Sequence, residues 1–123
     1  MTTVAKVDQS YLQSHHVTTW PNLTTTNADG APTGYASNGM GGVTFQVAGT
    51  IGAGFNMVVE GSNDGVTYYT LNDQANAAIN FTALGLKTVR DAPLYIRPRV
   101  TAGDGTTNVT VTAALQKSAF LVG

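Results

Sequence analysis

The chain has 123 residues, 42% hydrophobic and 11% charged, with a formal net charge of −1 and no cysteine. Such a length suits one domain; the missing cysteine excludes disulfides and thiolate metal sites, and the near-zero charge excludes a protein whose main task is to neutralise phosphates. Charged residues usually supply about 25% of a globular domain, so polarity here rests on Thr, Asn, Ser and Gln, which suits either a surface covered by partners or simply the preference of Thr for strands.

Residues 1–39 read differently from the rest. Val4, Val7, Tyr11, Leu12, Val17, Trp20 and Leu23 are spread without a sustained period, and Pro21, Pro32 and clusters at 27–30 and 39–42 punctuate them. Short strands are expected near 5–8 and 17–20. The segment is read as an extended N-terminal arm that lies across another surface, either its own sandwich or a neighbouring subunit. Its opening lacks the basic and apolar regions of a signal peptide, which predicts a protein made in a cytoplasm. No apolar run approaches the about 20 residues that span a bilayer, so no membrane is expected as a partner.

Residues 40–116 are expected to form the compact domain. Val43, Phe45 and Val47 alternate with Thr44, Gln46 and Ala48, and Phe55, Met57 and Val59 alternate with Asn56, Val58 and Glu60. Period two marks strands with one buried face. The glycine-rich stretch 49–54 is read as a turn that folds the second strand back on the first. Ser62, Asn63, Asp64 and Gly65 then form the clearest turn of the chain, since Asn, Asp and Gly accept left-handed backbone, and a third strand is expected over 66–71. Ile79 and Phe81 mark a short strand and residues 84–90 another. Over 94–100, Leu94, Ile96 and Val100 face in while Tyr95, Arg97 and Arg99 face out. Pro98, which cannot donate to a ladder, predicts an edge or a bulge there. A turn at 102–105 leads to a last strand with Val109, Val111, Ala113 and Leu115 on one face, and 117–123 is a short tail. Seven or eight strands at this spacing predict an all-β chain, an antiparallel β-sandwich of jelly-roll or Ig-like type.

No catalytic set can be assembled. His15 and His16 are adjacent and point to opposite sides of an extended chain, a poor metal clamp. Asp64 and Asp104 sit in glycine-flanked turns, where backbone geometry explains them. No serine lies in a nucleophile motif, and the glycine-rich stretch leads into a strand, so it lacks the helix N-terminus of a phosphate loop. The expectation is a protein that is not an enzyme and carries no cofactor. Tyr68, Tyr69 and Tyr95 suit either strand packing or stacking on a sugar. Arg97 and Arg99 share a strand face and suit either solvent or the carboxylates of a partner.

The run from Val58 through Glu60, Gly61, Ser62, Asn63, Asp64 and Gly65 to Tyr68, followed by Tyr95, Ile96, Arg97 and Pro98 and a Gly/Thr-rich final hairpin, resembles small all-β head decoration (cement) proteins of tailed bacteriophages and related virion β-sandwiches. The likeness covers about residues 43–115. It implies a structural virion protein that docks on the outer surface of an assembled capsid, often as a homotrimer, with the major capsid protein of the same virion as its partner. Contact candidates are then Tyr11, Leu12, His15, His16, Trp20 and Leu23 on the arm and Arg97 and Arg99 on the domain. The alternative is a carbohydrate-binding sandwich of a phage head or tail fibre.

Overall fold

A computed structural model describes residues 3–11, 15–34, 40–91 and 93–117. Every regular element among them is a strand: β1 (Val7–Tyr11), β2 (His15–Leu23), β3 (Thr33–Gly34), β4 (Met40–Thr50), β5 (Asn56–Ser62), β6 (Tyr69–Thr70), β7 (Asn80–Phe81), β8 (Gly85–Val89), β9 (Tyr95–Ala102) and β10 (Asn108–Lys117). They form two five-stranded antiparallel sheets. One runs β1-β2-β10-β4-β8; the other runs β3-β9-β5-β6, with β7 also on β5. Both line a single core that holds Trp20, Phe45, Val111 and Leu115 from the first sheet and Met57, Val59, Ile96 and Val100 from the second. The chain is therefore an all-β sandwich, as expected.

The alternation expected along the strands is present. Val43, Phe45, Val47, Phe55, Met57 and Val59 are buried, as are Val109, Val111, Ala113 and Leu115. Their pairing differs from the expected one. β4 and β5 lie in different sheets, and so do β9 and β10, so neither pair forms a hairpin. Period two reports which face is buried and is identical for two strands of one sheet and for two strands facing each other across a core.

Three further expectations are corrected. Only Tyr69 and Thr70 of the expected 66–71 strand pair with β5, because the loop before them spends its backbone N–H groups on side chains. Leu94 is 39% exposed instead of core, since the paired strand begins one residue later. β9 is an interior strand: β5 pairs along one side, while Gly30 N donates to Pro98 O and Val100 N to Ala28 O on the other. The missing N–H of Pro98 falls on that second side, where pairing is short and irregular, so the continuous ladder to β5 loses nothing.

The N-terminal segment contributes to the sandwich directly. β2 lies between β1 and β10. Its register to β10 slips by one residue between the pairs Val111↔Trp20 and Val109↔Leu23. Asn22 sits at φ 61° within that slip, a conformation Asn tolerates better than most residues. The bulge puts Trp20 and Leu23, three apart in sequence, on the same buried face. Trp20 stacks on Phe45 and donates from Nε1 to Ala31 O at 2.8 Å.

Candidate functional site

The loop that leaves β5 is fastened by its own side chains. Ser62 Oγ accepts from the N–H of Asp64 (3.2 Å) and of Gly65 (2.9 Å) and donates to Asp64 Oδ1 (2.8 Å). Asp64 Oδ1 in turn accepts from Val66 N at 2.8 Å and Thr67 N at 2.9 Å. Gly65 takes φ +76°, the left-handed backbone that the turn reading requires. Asn63 Oδ1 accepts from Leu94 N at 2.9 Å, which ties the loop to the start of β9. The N–H of Thr67 first, then that of Val66 and the Ser62 hydroxyl, hold the Asp64 carboxyl at about 2, below the usual carboxylate range. The loop thus folds as one unit, wider than a two-residue hairpin turn and closed by side chains where such a turn is closed by its backbone.

Below it, on the outer face of the second sheet, lies a compact polar brace. Register places Glu60 opposite Arg97, and Arg97 Nε meets Glu60 Oε1 at 3.0 Å. Arg99 Nη1 lies 3.4 Å from Glu60 Oε2, and Arg99 Nε 3.5 Å from Asp29 Oδ1. The guanidinium of Arg97 also sits 3.9 Å from the ring centroid of Tyr68, a cation–π contact. Two carboxylates and two guanidiniums balance, which is how Glu60 can be buried at 6% exposure. Burial pushes the Tyr68 hydroxyl above the usual phenolic range, with the charge of Arg97 opposing it.

Beside this brace the loop opens a groove lined by Asn63, Asp64, Thr67, Tyr69, Leu71 and Pro93. Tyr69 in its lining is 71% exposed, and Val66 and Leu94, each next in sequence to a lining residue, are 82% and 39% exposed.

The expected contact residues are distributed unevenly. Trp20 and Leu23 are wholly buried in this chain's own core. That corrects their assignment to docking, because the bulge in β2 turns both inward. His16 stands on the partly exposed β1–β2 edge with its Nε2 3.1 Å from Asp8 Oδ1, which also accepts from Thr18 Oγ1 at 2.6 Å; Lys6 Nζ reaches Asp8 Oδ2 at 2.8 Å. Burial works to raise the Asp8 carboxyl, but the bonds from Lys6, Thr18 and His16 outweigh it and hold it at about 2. Tyr11 and His15 pair with each other along the β1–β2 backbone. Leu12 lies outside the described residues, as do residues 118–123 of the tail. Arg97 is committed to Glu60 and Tyr68, whereas Arg99 keeps 44% of its side chain exposed.

Sequence reasoning gave Glu60 and Asp8 no role and saw in Asp104 only a turn residue. The signal for Glu60 was present: a lone carboxylate on one strand, and two arginines two apart on another. Among the described residues no group of three or more His, Cys, Asp or Glu stands close enough to hold a metal ion.

Fold and site together define an all-β sandwich with an internally braced face and an apolar loop tip. No family model, curated protein or solved structure matches the chain.

Proposed function

We propose that this chain is a structural protein of a tailed-phage virion, one that binds the outside of the assembled capsid and stabilises it, working as a homotrimer. The observation that carries the reading is the joining of two distant stretches of sequence. Residues 58–68 and 95–98 are the ones that resemble capsid decoration proteins. In the fold they form one block, with Glu60 against Arg97, Arg97 against Tyr68, and Asp64 and Asn63 fixing the loop above. Such a block is stiff and internally neutral, which suits a part that bears load within a shell and presents a preformed surface to it. The test is to mix purified protein with expanded, undecorated capsids of the same virus and image the particles; density on the outer surface supports the reading, and bare shells overturn it.

One observation favours a second reading, a carbohydrate-binding module. The ring of Tyr69 stands 71% exposed beside Asn63, Asp64 and Thr67, an aromatic face next to polar groups of the kind that hold a sugar. A glycan array read with Tyr69→Ala beside the parent chain separates this reading from the first.

A further inference from the structure

We infer that the docking element of this protein is the tip of the β5–β6 loop, and that its partner is a protein surface offering an apolar socket bordered by Lys or Arg. The inference rests on the virion reading above and names the surface that does the binding.

Three observations converge. First, exposed apolar groups are gathered at this tip. Val66 rides on the loop, Tyr69 follows it at the first pair to β5, and Leu94 is bonded through its N–H to Asn63. Scattered exposed apolar residues mean little, but these three belong to one fastened loop and the strand start bonded to it, and such a cluster marks a contact surface. Secondly, the tip is already ordered. Ser62 and Asp64 accept four backbone N–H groups within the loop, so little conformational entropy remains to be lost on binding.

The third observation is charge. Asp64 is the one carboxylate among the described residues that line the groove, and its bonds to backbone N–H keep it ionised. The nearby described cation on the same face, Arg97, is spent on Glu60 and Tyr68. The tip therefore presents apolar groups beside one negative charge, and its complement is an apolar pocket with a basic rim. Trp20 and Leu23 of the N-terminal segment cannot supply this surface, since both are buried.

The experiment uses the full-length chain and expanded, undecorated shells of the same virus, with co-sedimentation measured for the parent, Val66→Ser, Tyr69→Ala and Asp64→Asn. Thermal melts accompany each variant; the exposed positions 66 and 69 leave the melting midpoint unchanged, and the amide introduced by Asp64→Asn keeps a side-chain oxygen to accept from Val66 and Thr67. The expected result is a loss of about tenfold or more for Val66→Ser and for Tyr69→Ala, the effect of removing an interface anchor. For Asp64→Asn the expected result is weaker binding that has also lost part of its salt dependence. Parent-level binding by both apolar variants overturns the inference and leaves the virion reading standing. Release of the parent by free disaccharide overturns it in favour of a glycan site. Failure of the parent itself to sediment with shells overturns the virion reading, and the inference falls with it.

Discussion

The indole of Trp20 lies parallel to the ring of Phe45, 5.9 Å between centroids and 9° between planes, so the only tryptophan of the chain is a core residue of the first sheet. Trp20→Ala removes that stack and leaves the carbonyl of Ala31 without its donor. The expected cost is about 3–5 kcal/mol, read as a lower urea midpoint. Trp20→Phe refills most of the volume and should cost less, chiefly the about 1 kcal/mol of the part-buried bond to Ala31. A Trp20→Ala protein as stable as the parent would place the side chain outside the core.

The bulge that buries Trp20 also explains what could and could not be read from the sequence. Strands with strict alternation, such as residues 43–47 and 109–115, were legible because their buried positions recur every second residue. Trp20 and Leu23 violate that period, and with Pro21, Pro32 and the clusters at 27–30 and 39–42 interrupting the segment, only short strands could be read there. Strand pairing was not legible either. β4 and β5 are adjacent in sequence and share a core, yet they face one another across it, and no local signal distinguishes that from a hairpin. The turn at 62–65 was legible from its residue types, while the brace beneath it needed the pairing of Glu60 with Arg97, which the register of β5 on β9 alone supplies.

That pairing makes a prediction about unequal partners. Glu60→Gln keeps the shape but leaves Arg97, only 21% exposed, without its counter-charge. Removing one member of a fully buried pair costs about 3–5 kcal/mol; the remaining exposure of Arg97 and its contact with Tyr68 reduce this to about 2–3 kcal/mol. Arg99→Gln removes a more exposed partner and should cost less than about 1 kcal/mol. Chemical denaturation of the two variants should rank them in that order, and equal losses would mean that Glu60 is not the centre of the brace.

Acid should weaken the fold over a defined window. Asp8 and Asp64 are each held at about 2 in the folded chain, against an ordinary value of 3.8, and Asp104 is lowered as well. A carboxyl with a depressed folded value adds stability that is fully present above its unfolded value. That stability drains away as the pH falls towards the folded value, because the unfolded chain takes up the proton first. Urea midpoints should thus hold steady from neutrality to about pH 5 and fall between about pH 4 and 2. Asp8→Asn and Asp64→Asn should each flatten that fall, and an unchanged slope in both would show that other groups set it.

The last prediction concerns the end of the sandwich where two crossing loops meet. The β4–β5 and β9–β10 connections each pass from one sheet to the other, and Asp104 fastens them together. Its Oδ2 accepts from Ala53 N at 3.0 Å, its Oδ1 accepts from Thr106 N at 2.9 Å, and Gly52 N donates to Thr107 Oγ1 at 3.1 Å. The carboxylate lies flat against the backbone of Gly52: a Cβ at that position would overlap Asp104 Oδ1 and Cγ. Position 52 must therefore lack a side chain for a reason of close approach. In Gly52→Ala the methyl group and the carboxylate cannot coexist, so Asp104 must swing away and surrender its bonds to Ala53 and Thr106, and the urea midpoint should fall. Asp104→Ala surrenders the same bonds directly. Once the carboxylate is gone, the three atoms nearest to the added methyl group are gone with it, so the double variant should be about as stable as Asp104→Ala alone. Such non-additivity is the signature of two residues acting through one contact. Denaturation of the two single variants and the double variant completes the cycle. Additive losses would show that the two positions act independently and that the carboxylate is not what excludes a side chain at Gly52.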